Sequence, residues 1–415
     1  MRVLLISPFY DKTAPGECWS SYKWLQGISE HCETVVLTQH YAGWDAGPSP
    51  LGAAKVVNWT DPDLPRWLTG RAAFEIAPTY VHFYHRARRW LKESRRAGEH
   101  FDLVHQISPL ALRYPCPARG LGYKYVVGPL AGSLSTPPGF ADQGTDRQWF
   151  RKLRHLDRVR FRWDPWLRGS YEGAAALLGA APYVKDLLSD LKLRRFECMS
   201  ETGVEEVVGK PISPPGKDEP LRLLFVGRMI RTKGVLDGIR AMGLVRDVNV
   251  RLDILGGGDL TEVCKDEVER LGLSERVAFH GHLSREEVFG WYRKSHVFFF
   301  PSFREPSGNV VFEAMSQGLP VITSTVGGPG YVVDSTCGRC VAPENPEVYP
   351  ARLADAVRDL AADPARLVSL SSGALRRMEE VALWKHKIPN LIALYRELID
   401  SADSSADVRQ ISRLG

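Results

Sequence analysis

No run in the chain approaches the ~20 apolar residues that a helix needs to cross a bilayer. The apolar core of the opening stretch MRVLLISPFY is too short for a secretory signal. Neither a membrane-spanning nor an exported protein is therefore expected. Cysteine is sparse: seven in 415 residues, an odd number scattered along the chain. That pattern argues for reduced thiols in the cytoplasm and against a disulfide framework. Cys337 and Cys340 fit the C-x-x-C spacing, but the second pair that a zinc site requires is missing. An excess of one charge is lacking too. The net charge is +5, and the surplus sits in residues 1–210, which hold 28 Lys and Arg against 22 Asp and Glu; the remainder has 26 against 27. A nucleic-acid footprint would be far more basic, so no nucleic-acid partner is expected.

What is present is an ordinary globular composition, 44% apolar and 25% charged, with room for two or three domains. RVLLIS at 2–7, a helix at 17–30 and TVVLT at 34–38 read as an opening βαβ unit of a parallel sheet. Residues 41–75, rich in Gly, Pro and Trp, read as irregular. Within them Asp61-Pro62-Asp63 gives a D-x-D with no strand leading into it, and no metal site is expected there. Two stretches, 80–100 and 147–169, interleave Trp, Tyr and Phe with Arg and Lys. Such a pattern suits anionic lipid headgroups, and equally a solvated helix whose rings enter a core. FDLVHQISPL and YKYVVGPLAGS are further strands with their loops, and 174–191 supplies a closing strand and helix. The segment 206–220, rich in Pro, Gly and charge, reads as a linker.

The second half restarts with LRLLFVGRMIRTKGV and VRLDILGGGDL, each a buried strand running into a glycine-containing turn. Its centre is HVFFFPSFREPSGNVVFEAMSQGLPVITSTVGGPG, residues 296–330. HVFFFP is a strand apolar on both faces. SFREPSG is the loop at its carboxyl end, and NVVFEAMSQ is a helix beginning near Ser307, Gly308, Asn309 and Val310 and stopping at Gly318. Parallel sheets bind ligands outside the carboxyl ends of their strands, and a helix start offers unpaired amides and partial positive charge. TVGGPG reads as a second glycine-rich turn.

Glu305 and Glu313 stand eight apart, with P-S-x-x-E before and E-A-M-S-Q-G-L-P-V-I after. This stretch resembles the group 1 (GT4-type) family of retaining glycosyltransferases with the GT-B fold, an α/β architecture of two Rossmann-like domains whose parallel sheets face each other across a cleft. V-G-R-x4-K-G-V, residues 226–235, similarly resembles the family's donor-phosphate motif. The resemblance is dense from 221 to 345 and largely topological before that. It implies an acceptor-binding domain over 1–205, a donor domain over 221–384, a last helix near 385–400 returning to the first domain, and a frayed tail over 401–415.

The same resemblance implies roles for individual residues. Arg228 and Lys233 would grip the diphosphate. Glu305 would orient the sugar, and Glu313 would hold the ribose. Backbone groups at His282 and Leu283 would meet the nucleobase, with the turn glycines Gly16 and Gly256 and the amides of Ser307, Gly308, Asn309 and Val310 close to the donor. His105 is expected at the carboxyl edge of the first sheet, facing the cleft as an acceptor-side candidate, although a lone histidine is as readily a core residue. The chain departs from the family where many members carry a histidine after the YKYVV strand and this one has Gly128-Pro129-Leu130. The implied activity is retaining, metal-independent sugar transfer from a UDP- or GDP-sugar to a glycan, lipid-linked or small-molecule hydroxyl. It would serve bacterial polysaccharide, glycolipid or glycoconjugate biosynthesis, in the cytoplasm or peripherally at the inner face of the cell membrane, and no cofactor is expected. Another enzyme on this fold, an epimerase or phosphorylase, remains an alternative, as does a non-catalytic sugar-nucleotide or glycan binder.

Overall fold

The computed structural model describes residues 1–14, 16–40, 49–60, 78–143 and 160–411. The chain divides into two compact units. The first comprises Met1–Ser133, Gln148–Glu201 and Trp384–Gly415; the second comprises Leu134–Arg147 and Thr202–Leu383.

The first unit is built on a seven-stranded, wholly parallel sheet. Its strands are β1 (Arg2–Ile6), β2 (Glu33–His40), β3 (Lys55–Thr60), β4 (Leu103–Gln106), β5 (Tyr125–Leu130), β6 (Ala176–Gly179) and β7 (Phe196–Cys198). They are ordered β3-β2-β1-β4-β5-β6-β7. Val3, Leu4, Leu5 and Ile6 are all buried, alternate residues entering apolar clusters on opposite faces of the sheet. That is why the strand reads as an unbroken apolar run and not as an alternation. Helix Glu17–Ser29 covers one face through Trp24, Leu25 and Ile28. The last helix, Trp384–Ile411, joins the same cluster through Ile388, Leu391, Ile392 and Tyr395.

The second unit repeats the plan with six parallel strands: β8 (Leu221–Val226), β9 (Val250–Leu255), β10 (Val277–Gly281), β11 (Val297–Phe300), β12 (Val321–Ser324) and β13 (Gly338–Val341). Their order is β10-β9-β8-β11-β12-β13. The run Phe298-Phe299-Phe300 of β11 is fully buried, held between β8 and β12.

Both sheets reverse their strand order once, between β1 and β4 and between β8 and β11. At such a reversal the loops leaving the two strands diverge to opposite faces and open a crevice. The fold thus marks one place in each unit for a ligand.

Four local expectations differ from the structure. β3 lies inside the stretch expected to be irregular: KVVNWT pairs with β2 as an edge strand, and the Gly and Pro residues around it obscure a short β signal. Leu134–Arg147 belongs to the second unit, although 1–205 reads as one domain. The reason is Phe140, fully buried and stacked on Phe303 at 4.2 Å between centroids, together with a hydrogen bond of 3.0 Å from Arg304 Nη1 to Thr136 Oγ1. TVGGPG leads into a short helix, Gly327–Val332. The terminal helix continues to Ile411, past the point where fraying is expected.

Candidate functional site

At the β8–β11 reversal, the loop after β8 carries Arg228 and then a tight turn at Arg231–Lys233. The loop after β11 is tied to it. Phe303 N–H donates to Thr232 O at 3.1 Å, and Ser302 Oγ donates to the same carbonyl at 2.9 Å. This clasp brings Lys233 Nζ onto the carboxylate of Glu305, forming an ion pair whose side chains are 16% and 12% exposed. Lys233 also lies over the Phe300 ring, 5.3 Å from its centroid. Arg228 projects into solvent from the same loop and pairs with no carboxylate among the described residues. One switch point therefore holds a shielded cation–carboxylate pair and a second, exposed cation.

The helix start lies beside them. Gly308, at φ 89°, caps helix Asn309–Ser316. A side chain there would be strained by the left-handed backbone and would press on the Pro329 ring. Ser307 and Asn309 are half-buried, and the N–H groups of Asn309 and Val310, in the first turn, have no intrahelical acceptor. Gly328 N–H donates to Glu305 O at 3.1 Å, fixing the backbone of that loop. One turn further along, Glu313 accepts from Tyr292 Oη at 3.3 Å and lies 3.7 Å from Arg285. Burial raises its carboxyl above the usual range, against the pull of Arg285.

The turns after β8 and β9 also interlock. Gly227 N–H donates to Leu255 O at 3.0 Å, and Met229 N–H to Gly257 O at 2.9 Å. A Cβ on Gly256 would collide with the Gly227 carbonyl, so only glycine allows this approach. His282 and Leu283 follow β10, His282 exposed and Leu283 half-buried before helix Arg285–Lys294. Tyr292, Arg285 and Asp253 carry no motif in the sequence; Asp253 accepts from His280 Nε2 at 2.8 Å. Their signals are single polar residues in elements that read as scaffold.

In the first unit, Gly16 is exposed at φ 77° and begins helix Glu17–Ser29. His105 stands one residue from the carboxyl end of β4 but does not face outward. It lies fully buried in β4, where its Nε2–H donates to Gly128 O at 2.6 Å and its Nδ1 faces the Tyr395 hydroxyl of the last helix. Burial pushes its pKa down to about 4, so the ring is neutral near pH 7. The unfolded chain would take up a proton near pH 6.5, and the folded chain only near 4. The stability this histidine confers is complete above about pH 6.5 and is lost as pH falls towards 4, by roughly 3 kcal/mol. His105→Gln, whose amide can make both contacts, is expected to lose less stability over that interval in denaturant titrations.

Among the described residues, no three His, Cys, Asp or Glu side chains gather as a metal-binding group. Asp61–Asp63 lies outside those residues. Burial pushes the thiols of Cys337 and Cys340 up to about 12 and 11, which suits inert cysteines. No helix of the described residues is long and apolar enough to cross a membrane.

Residues 220–363 match the family described as Glycosyl transferases group 1. An uncharacterized glycosyltransferase of Methanocaldococcus jannaschii is 35% identical over 133 residues, 32% of this chain and 34% of its own. D-inositol 3-phosphate glycosyltransferase 1 of Catenulispora acidiphila is 33% identical over 190 residues, 43% of this chain and 44% of its own. The chain thus spans less than half the length of the curated relatives it matches. Solved structures match over almost all of it. Sucrose-phosphate synthase from Thermosynechococcus elongatus superposes with a TM-score of 0.65 at 21% identity, covering 96% of this chain and 99% of that one. HepE from Anabaena, solved with UDP, gives a TM-score of 0.65 at 14% identity, covering 96% and 100%.

Proposed function

We propose, from the match of residues 220–363 to the group 1 glycosyltransferases and the two-sheet fold shared with the solved structures above, that the chain transfers a sugar from a nucleoside diphosphate donor to an acceptor hydroxyl, with retention of configuration and without an obligatory metal. The observation that carries this reading is the β8–β11 crevice, where Lys233, Glu305, Arg228 and the start of helix Asn309–Ser316 converge. The chemical difficulty of such a transfer is the leaving group, since negative charge accumulates on the departing diphosphate. A preorganised cation and unpaired amides stabilise that charge more in the transition state than in the ground state. Lys233 and Arg228 supply the cations, and the first-turn amides supply the dipole. Two cations at the pyrophosphate do the work that a magnesium ion does elsewhere. Glu305, held by Lys233 in the resting site, orients the sugar through its hydroxyls. Glu313 holds the ribose, and the backbone at His282 and Leu283 meets the base. UDP bound to HepE, a protein of the same fold, favours a uridine donor, with a GDP-sugar as the variant to test.

The first unit takes the acceptor on this reading, whether a glycan, a lipid-linked saccharide or a small molecule. Seven cysteines scattered along the sequence fit a reducing, cytoplasmic setting. The test is incubation of the purified chain with UDP- and GDP-sugars and cell-envelope extracts, followed by mass spectrometry of the products. Conversion of donor with no acceptor present, to an epimer or a sugar phosphate, would instead support one of the other reactions hosted by this fold.

One surface favours an acceptor presented at a membrane. Trp163 is 73% exposed and Trp166 54%, with Val81, His82, His85, Arg86 and Arg162 also exposed on the two segments that carry them. Trp166 stacks on Tyr84, which holds it beside helix Pro78–Arg96. Exposed indoles beside arginines suit a headgroup layer. Residues 147–159 of the second basic-aromatic stretch lie outside the described residues. Trp163→Ser/Trp166→Ser is expected to lower co-sedimentation with phosphatidylglycerol vesicles severalfold while leaving turnover of a soluble acceptor unchanged.

A further inference from the structure

Helix Arg285–Lys294 aims two polar side chains at one carboxylate. The helix starts at Ser284, whose hydroxyl accepts from Glu287 N–H at 3.3 Å while its own N–H donates to Glu287 Oε2 at 2.8 Å. This reciprocal cap fixes the helix start immediately after His282 and Leu283. Arg285, Phe289 and Tyr292 then recur at intervals of four and three residues, which places them along one side of the helix. The Arg285 guanidinium lies 5.6 Å from the Phe289 ring centroid, and Phe289 meets Tyr292 edge-on at 5.6 Å. Tyr292 is fully buried and stands edge-on to Phe298 of β11 at 5.8 Å. Both polar ends of this stripe meet Glu313. Tyr292 Oη donates to its Oε2 at 3.3 Å, and Arg285 Nη2 lies 3.7 Å from its Oε1.

Resting on the reading of Glu313 as the ribose ligand, we infer that Tyr292 and Arg285 are positioning residues for its carboxylate, holding one oxygen each so that it accepts from both ribose hydroxyls and selects a ribonucleoside over a 2′-deoxyribonucleoside diphosphate.

Ribose presents two neighbouring hydroxyls. An ionised carboxylate can accept from both, one on each oxygen, whereas a neutral acid keeps a proton on one of them. Each carboxylate oxygen also has room for two donors. Tyr292 takes one site on Oε2 and Arg285 approaches Oε1, yet the Glu313 side chain is still 27% exposed, so it is held without being covered. Unheld, a carboxylate turns easily about its last torsion, whose energy is broad and nearly two-fold. Packing on Phe289 and Phe298 needs only the Tyr292 ring; the hydroxyl is the part that reaches Glu313. Charge acts in the same direction as geometry. Burial favours the protonated form of Glu313, and Arg285 and the Tyr292 hydroxyl oppose it. Among the described residues these are the charged and titratable groups that act on this carboxyl. The phenol itself is raised well above the ordinary tyrosine range by burial and by Glu313, so it stays a donor near neutral pH. Loss of either group should therefore raise the Glu313 carboxyl further, and the doubly accepting form should give way at a higher pH.

The test is calorimetric titration of the full-length chain with UDP and 2′-deoxyUDP, and with GDP and 2′-deoxyGDP, from about pH 5.5 to 8.5. Within each pair the base and diphosphate are the same, so the affinity ratio reports the 2′-hydroxyl and the titration of the phosphate cancels. Wild type should prefer the ribonucleotide by about tenfold, the effect of one hydrogen bond to a charged group. Glu313→Gln should remove most of that preference. Tyr292→Phe should cut it to about threefold and move the pH at which it fades upward by about half a unit. Arg285→Gln, at a side chain 71% exposed, should move that pH in the same direction without disturbing the fold. Thermal unfolding curves check that each variant is folded. Either variant, folded and with wild-type preference at every pH while Glu313→Gln has lost it, overturns the inference and leaves the ribose reading standing. Equal wild-type affinity for both members of each pair, preference retained in Glu313→Gln, or no nucleotide binding by wild type counts against the donor reading itself and takes this inference with it.

Discussion

Lys233→Ala is expected to reduce sugar transfer by about 10²–10³-fold, the range found when one preorganised donor to a developing negative charge is removed. Initial rates with a UDP-sugar, measured beside the thermal unfolding curve, check it. In the resting chain Lys233 is already neutralised by Glu305 and held over Phe300. The ion pair therefore does two things: it stores a cation in a partly desolvated position, and it fixes the carboxylate proposed to orient the sugar. When a diphosphate arrives, the ammonium has a stronger partner, and its charge is felt more in a water-poor crevice than it would be in bulk solvent. Loss of the amine leaves Glu305 without its counter-ion, yet the loop remains tied through Phe303 N–H, Ser302 Oγ and Gly328 N–H. The unfolding midpoint should therefore move far less than the rate. Glu305→Gln keeps the side chain's shape and removes its charge, and it should cut turnover by a similar order. A structural salt bridge would give the opposite signature, lower stability with preserved turnover, and transfer within threefold of wild type in both variants would refute the site.

How much of this was legible in the sequence depends on how local the cause is. β11 was readable because a strand buried on both faces needs only a continuous apolar run. The helix start at Asn309 was readable because Ser, Pro and Gly break the chain just before it. Glu305 and Lys233 were nameable individually, but their contact was not, since 72 positions separate them. His105 shows the limit more sharply. Its strand is legible, and so is the return of the last helix to this unit, but no local pattern pairs the imidazole with Tyr395, 290 positions away. Phe140 is similar: an aromatic in a Pro- and Gly-rich loop gives no hint that it will enter the core of the other unit.

Arg231→Ala is expected to destabilise the second unit by about 3–5 kcal/mol, as removal of one partner from a buried ion pair does. Arg231 lies within the same R-x4-K segment as Arg228 and Lys233 but faces inward. Its guanidinium binds both oxygens of Asp237, with Nη2 3.0 Å from Oδ1, and both side chains are almost wholly enclosed. The guanidinium also lies 5.3 Å from the Phe140 ring centroid and 5.1 Å from that of Phe303. Burial already holds Asp237 above the usual carboxylate range despite its partner. Without the guanidinium the carboxyl should rise further and fold in its neutral form. A carboxyl whose folded pKa lies above its unfolded value confers stability below the unfolded pKa and loses it as pH rises, so the penalty should be smaller at pH 5 than at pH 8. For a unit of this size the midpoint should fall by roughly 10 °C. Arg231→Met/Asp237→Leu, which removes both charges and keeps the volume, should recover most of the loss in chemical unfolding. Because Lys233 is two residues away on the same turn, Arg231→Ala should also lower transfer, and the double variant should restore stability and turnover together. Recovery of stability without turnover would mean that the guanidinium positions Lys233 directly, in addition to supporting the fold beneath it.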